Sequence, residues 1–516
     1  MDNHKTVYNV LAFIEDAAEQ YADKAAFQAE NGQITYGQLL EQVNRMGYRL
    51  SVRLSAVRKP IVVLMEKCVE CLVAFFAVAA SGNFYVCIDS KMAPERIGKI
   101  LENLCPAGIV KRQAEPSAVE EGYQDIPVFF YEELVSGQTD LGEMKAALQK
   151  IREQMIDTDP LYVLYTSGST GIPKGSVISH RSVIAYADWV TRTFHINHRS
   201  IFGSQTPFYF SMSVLDIYAT VRNAATLQII PKKLFSFPIK LLEYLNEKRV
   251  NTIYWVPSAL SIVADWRALD YVEVPELHTI LFAGEVMPTR QLNIWRSHIP
   301  NALYANLFGP TEITDIGLYH ILDREYKNEE PIPIGKSCRN MDAFAINEHG
   351  KLAEIGETGE LYFRGSFVGY GYYNNMEKTR EAFVQNPLNP FYPEIVYRTG
   401  DLVRQNKNGE FLYLGRRDFQ IKHMGYRIEL GEIEAAVNAF EKIERAACIF
   451  HSEKDHIVLF YQGKAQEKEI LGFLKEFLPS YMLPNEMIRL RSMPLNANGK
   501  TDRNLLKENY LEEKAK

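Results

Sequence analysis

Residues 162–175 read YVLYTSGSTGIPKG, an apolar strand pattern running into Thr166, Ser167, Gly168, Ser169, Thr170, Gly171 and then Lys174. Glycines let a backbone approach an oxyanion closely, and hydroxyls and a lysine donate hydrogen bonds to it, so the segment is equipped to hold phosphate. It is not a Walker loop. Counting on from Gly168, Pro173 stands where the second glycine belongs and Gly175 where Ser or Thr belongs. An isolated glycine-serine run is most often a polar turn between strand and helix, but this string is more specific than that. Cys68 and Cys71 have C-x-x-C spacing, yet they open the apolar stretch CLVAFFAVAA with no second pair or His cluster, the pattern of buried structural thiols. A K-x-D-G string, as in a nucleic-acid-joining lysine nucleophile, does not occur.

The elements that must position such residues change character along the chain. In the first half, amphipathic helical stretches alternate with short β-branched or aromatic runs, IVVLM (61–65), FYVCI (84–88) and TLQII (226–230), which predicts α/β layers. From about Gly356 the texture becomes short strands with glycine turns, a β-rich, barrel-like subdomain over about 330–415. Beyond Gly431 a helix (EIEAAVNAF), apolar runs ACIF and IVLFY, and a second helix (KEILGFLKEFL) predict a small α+β domain. The expected division is 1–417 and 418–516, with a short hinge at GRRDFQ near Asp418.

Length supports that division, since 516 residues exceed one compact core. A composition of 47% hydrophobic and 23% charged residues fits globular domains and excludes disordered or fibrous classes. With 57 basic against 64 acidic residues, the net charge of −7 gives no broad footprint for nucleic acid or an anionic membrane. The run Cys71 to Ala80 falls short of the ~20 residues that span a bilayer, and MDNHKTVYNVLAFIEDAAEQY lacks the pattern of a secretory signal. The six cysteines are too scattered for a disulfide framework. A cytoplasmic protein is expected.

YTSGSTGIPKG resembles the signature of the adenylate-forming superfamily, which includes acyl-CoA synthetases, luciferases and peptide-synthetase adenylation domains. In the same order the chain carries NLFGPTE (306–312), GELYFRG (359–365), YRTGD (397–401), GRRDFQIKHMGYRIELGEIE (415–434), LPSYMLP (478–484) and NANGKTDR (496–503). The nearest likeness is to free-standing D-alanine:carrier-protein ligases and peptide-synthetase adenylation domains. The resemblance implies a ligase that converts a carboxylic acid and ATP into an acyl-adenylate with release of pyrophosphate. The acyl group then passes to the phosphopantetheine thiol of a carrier protein, or to CoA in the alternative. A non-catalytic nucleotide-binding protein on the same fold is the alternative of another class, disfavoured by the retention of Glu312, Asp401 and Lys500 together.

Residue roles follow from the resemblance alone. Glu312 is implied to hold Mg2+ on the phosphates and Thr311 to contact the α-phosphate, while the Thr166–Lys174 loop shields the departing pyrophosphate. Phe308 is implied to stack on adenine beside Gly284, with Glu285, Asn306 and Gly309 in the same nucleotide site. Asp401 and Arg416 are implied to fix the ribose. Lys500 is implied to bridge the substrate carboxylate and the α-phosphate during adenylation. The C-terminal domain is implied to rotate about Asp418, bringing Lys422 to Gly425 forward for thioester formation.

One departure from the family bears on the acid. Amino-acid-activating members carry an aspartate after the phenylalanine of an F-D-x-S-V string; here Phe210 is followed by Ser211, Met212, Ser213 and Val214. An ammonium buried there without a counter-charge costs several kcal/mol. The implied pocket is Phe210, Ser211, Met212, Leu215, Tyr254, Leu281, Ala283, Leu307, Asp315 and Ile316, mostly apolar. Two expectations stand: an uncharged acid, toward which Ser211 leans, or an amino acid whose amine has moved toward Asp315. Asp315 could also simply cap a helix or meet solvent.

Overall fold

The computed structural model describes residues 7–115, 125–166, 173–328, 330–417, 420–494 and 501–515. Two compact units are present, one made of 1–90, 104–164 and 175–417, the other of 91–103, 165–174 and 418–516.

The larger unit is built on α/β layers. Pro60–Leu64 and Phe84–Ile88 are buried at every residue, the signature of parallel strands covered on both faces. They pair in parallel with each other and lie in a six-stranded sheet. The apolar run Cys71–Ala80 falls in the helix Val69–Ala80 and is buried throughout. It is a core helix, and no helix among the described residues is long and apolar enough to cross a membrane.

A nine-stranded sheet positions the site. Six of its strands run parallel in the order Leu303–Phe308, Thr279–Phe282, Thr252–Trp255, Ile201–Ser204, Thr226–Ile229 and Ala25–Ala29. Antiparallel strands close each edge. In open parallel sheets the carboxyl ends of strands are where ligands bind. Tyr254, Leu281 and Phe308, all expected site residues, lie in the last two positions of their strands.

The β-rich segment is a five-stranded antiparallel sheet whose longest strand, Ile395–Gln405, pairs with Thr358–Gly365, Phe383–Gln385 and Phe411–Arg416. In the smaller unit, Gln420–His423 and Tyr426–Glu429 form a hairpin. Its two turn residues, Met424 and Gly425, both have positive φ, 51° and 80°, the two-residue turn that matches strand twist. The helix Leu430–Asn438 follows, then a three-stranded sheet and the helices Glu467–Phe477 and Arg503–Ala515. Cys71, Cys87, Cys338 and Cys448 are buried, Cys68 is partly so and Cys105 is exposed; all are free thiols.

Candidate active site

The segment from Pro207 leads into the helix Ser213–Arg222, whose first residue, Ser213, donates from Oγ to the Phe210 carbonyl at 2.7 Å. Met212 and Leu215 are buried on it, as are Tyr254, Leu281 and Ala283 at the ends of neighbouring strands and Leu307 and Ile316 beside them. Phe210 and Ser211 keep part of their surface accessible. Ser211 Oγ accepts a hydrogen bond from Thr311 Oγ1 at 3.2 Å. The hydroxyl that replaces the family aspartate is therefore tied to the GPTE segment.

Asp315 neither meets solvent nor caps a helix. It is only 1% exposed, and its Oδ2 accepts hydrogen bonds from Tyr186 at 2.7 Å and Tyr254 at 3.2 Å. Burial first, and the charge of Asp315 second, push both phenols well above their ordinary range, so both remain donors. The backbone explains how Asp315 gets there. Thr314 has φ 74° and ψ −61°, and Asp315 N donates to the Ile313 carbonyl at 2.9 Å. This is the rare positive-φ γ-turn, strained for any residue and more so for a β-branched one. Thr314 Oγ1 holds it by donating to the Phe367 carbonyl at 2.8 Å, and Tyr162 donates to the Thr314 carbonyl at 3.3 Å. Gly309 completes the fit: a Cβ there would lie 2.0 Å from the Asp315 carbonyl oxygen.

Of the expected nucleotide residues, Gly284, Glu285, Asn306, Phe308, Gly309, Thr311, Asp401 and Arg416 lie in the larger unit, as does Glu312. Phe308 ends its strand with its ring 5.7 Å from that of Tyr413. Asn306 spends its amide on the Pro333 carbonyl at 2.8 Å. Gly284 has φ 94° just past the strand Thr279–Phe282. Glu285 caps the helix Pro257–Asp265, accepting from Ser258 N at 2.7 Å. Glu312 is fully buried, with Oε1 accepting from the Tyr372 hydroxyl at 2.6 Å. Asp401 lies directly opposite Arg416 on the neighbouring strand, with Arg416 Nη1 3.2 Å from Asp401 Oδ1.

In the smaller unit Thr166 is buried and donates to the Lys174 carbonyl at 3.5 Å, and Lys174 Nζ lies 3.3 Å from Glu429. Ser167, Gly168, Ser169, Thr170, Gly171, Asp418 and Lys500 lie outside the described residues.

A family description, AMP-binding enzyme, matches residues 14–373. The D-alanine–D-alanyl carrier protein ligase of Bacillus licheniformis is 31% identical over 97% of the chain and 99% of that relative. The chain belongs to the AMP-binding enzyme family. It is an adenylate-forming enzyme, as the order of its motifs leads one to expect. Bacitracin synthase 1 of Bacillus licheniformis is 30% identical over 98% of this AMP-binding enzyme, which spans only 9% of that much longer relative. In fold, the enzyme is similar to the Vibrio cholerae adenylation domain AlmE solved with glycyl-adenosine-5'-phosphate, with TM-score 0.83, 21% identity and 99% of each chain covered.

Sequence reasoning missed Tyr186, which meets Asp315 from 129 residues away, and the turn at Thr314. It also passed over Lys67 and Asp216. Asp216 was open to detection, as the one charged residue within the helical string SVLDIYATV, every residue of which is buried in this AMP-binding enzyme.

Proposed function

We propose that this enzyme adenylates a small carboxylic acid bearing an amine, held toward Asp315, and passes the acyl group to the phosphopantetheine thiol of a carrier protein. One observation carries the choice of acid: a buried carboxylate fixed by two tyrosine hydroxyls among the residues of the acid pocket. Such a group complements an ammonium, which residue 211 with its hydroxyl does not. The uncharged acid favoured by Ser211 alone loses ground because Asp315 is neither a cap nor a surface residue. Relatives named as D-alanyl carrier protein ligases support the carrier-protein acceptor over CoA.

In this reading Phe308 stacks on adenine beside Gly284, and Asp401 and Arg416 hold the ribose hydroxyls. Thr311 and the Thr166–Lys174 loop donate to the phosphates, and Lys500 bridges the two reacting groups during adenylation. Glu312, oriented by Tyr372, would supply a hard oxygen ligand suited to Mg2+ on the ATP phosphates. When bound, Mg2+ neutralises charge that builds on the phosphates. Adenylation leaves acyl-AMP and pyrophosphate, and the thiol then displaces AMP.

The test is ATP–pyrophosphate exchange with matched acids, 3-aminopropanoate against butanoate and alanine against 2-methylpropanoate. The amino acids should win in each pair, and Asp315→Asn should cut their kcat/KM by about a hundredfold, near the roughly 3 kcal/mol cost of breaking a buried charge pair. A preference for the uncharged acids, unmoved by Asp315→Asn, would overturn the amine reading.

A further inference from the structure

Lys67 and Asp216 lie outside the motif strings quoted above, yet both are charged groups inside the larger unit, Asp216 fully buried and Lys67 partly so. Lys67 follows the strand Pro60–Leu64, and its Nζ donates to the Ser204 carbonyl at 2.9 Å and to Ser204 Oγ at 3.0 Å, 5.1 Å from the Phe208 ring centroid. Asp216 is completely buried on the helix that also carries Leu215. Ser204 lies near enough to favour its charged form, but among the described residues neither carboxylate oxygen has a partner in full hydrogen-bond geometry. A buried carboxylate left this way calls for a reason.

The sheet places the pair beside the acid pocket. Phe202 and Gly203 pair in register with Thr252 and Ile253, so the next residues, Ser204 and Tyr254, are neighbours on one face of parallel strands. The row continues to Leu281, which pairs with Tyr254. Ser204 holds Lys67 and Tyr254 donates to Asp315, so the ammonium and the Asp315 carboxylate are joined through adjacent strands. Asp216 lies one helical turn past Met212, another pocket residue. The electrostatics agree. Desolvation pushes the Asp216 carboxyl up and the Lys67 ammonium down, with Lys67 opposing the Asp216 shift and the charge of Asp315 adding to it. Among the described residues, the titratable groups that interact with this cluster include Tyr85, Tyr162, Tyr186, Tyr218, Tyr254 and Cys338, and burial keeps each of them in its neutral, protonated form.

We propose that Asp216 and Lys67 are specificity-determining residues that tune the charge of the acid pocket: the carboxylate adds to the pull of Asp315 on a substrate ammonium, and the Lys67 ammonium limits it. Neither needs to touch the substrate. Charges in a low-dielectric interior act across several ångströms, and their effect on the carboxylate common to both acids cancels in a ratio between substrates of the same shape, leaving the effect on the ammonium. The inference rests on the reading that Asp315 receives the substrate amine.

The test uses the whole 516-residue chain and the ratio of kcat/KM for 3-aminopropanoate to that for butanoate. Asp216→Asn should lower the ratio about tenfold, the change that one pKa unit represents. Lys67→Met should raise it by a similar factor, and the double variant should return it to near the parent value. Opposite signs are the signature, because loss of a merely structural contact would lower both probes together in either variant. Movement of the ratio in the same direction in both variants, or in neither, overturns the proposal. Where Lys67→Met does not fold, Lys67→Gln takes its place, and the sign of Asp216→Asn alone decides the Asp216 half. Asp315→Asn separates the two ideas: if it leaves the ratio unchanged, the underlying amine reading fails, whereas its collapse with no opposed shifts from the pair removes only the present inference.

Discussion

Asp401 and Arg416 face each other across neighbouring strands, and Arg416 also donates to the Thr399 carbonyl at 2.7 Å. On the proposal that Asp401 holds the ribose, a carboxylate anchored this firmly would offer its hydroxyls fixed acceptors. Asp401→Ala should raise KM for ATP by an amount equivalent to about 1.5–3 kcal/mol, the usual worth of hydrogen bonds to a charged group. Exchange kinetics at varied ATP check this, and an unchanged KM takes Asp401 out of the nucleotide site. Asp401, Glu312 and Thr311 could be offered as candidates from the sequence because each sits in a contiguous string that resembles a family motif. Tyr186 could not. Its meeting with Asp315 spans 129 residues and leaves no local pattern. Lys67 was hidden for the same reason, since its partner Ser204 is 137 residues away.

At the scale of elements, strands such as Phe84–Ile88 and helices such as Glu467–Phe477 follow directly from apolar runs and amphipathic spacing. The γ-turn at Thr314 runs against its own residue, because a β-branched side chain disfavours positive φ. Strain of that kind costs on the order of 1–3 kcal/mol and persists only where surroundings impose it. Thr314→Val keeps the shape and removes the bond to the Phe367 carbonyl. It should cost about 1 kcal/mol of stability, and raise KM for the acid more than KM for ATP. Thermal unfolding and exchange kinetics read the two effects, and an unchanged KM for the acid would mean that this bond does not aim Asp315. A second element-level device joins the N-terminal helix Leu11–Tyr21 to the helix His180–Thr193: His180 Nδ1 accepts from Val10 N at 3.3 Å. Burial pushes the His180 imidazole from 6.5 down to about 3. The unfolded chain therefore takes up a proton that the folded chain refuses, so stability is full above about 6.5 and is shed as pH falls toward 3. Denaturant titrations from neutral to acid pH should show this slope, and His180→Gln should flatten it.

For the whole molecule, α/β layering was readable from the alternation of runs, and the antiparallel sheet from its glycine turns. The composition of the smaller unit was not, because it recruits 91–103 and 165–174 by tertiary contact rather than by sequence. On the proposal that the C-terminal unit turns between half-reactions, Lys500→Ala should abolish adenylation yet leave thioester formation from supplied acyl-adenylate nearly intact. Equal loss in both steps would refute that division of labour. The nine-stranded sheet also sets a timetable. Phe27 pairs with Leu227, so the strand Ala25–Ala29 has no parallel neighbour until some two hundred more residues have left the ribosome. At about 5–20 residues per second that is a wait of roughly 10–40 s. For most of it, Phe75 and Phe76 on the apolar helix Val69–Ala80 lack the Phe208 and Tyr218 rings that later pack edge-on against them. A nascent chain in that interval is a natural client for chaperones, and two of the rings it leaves uncovered are buried in the finished enzyme.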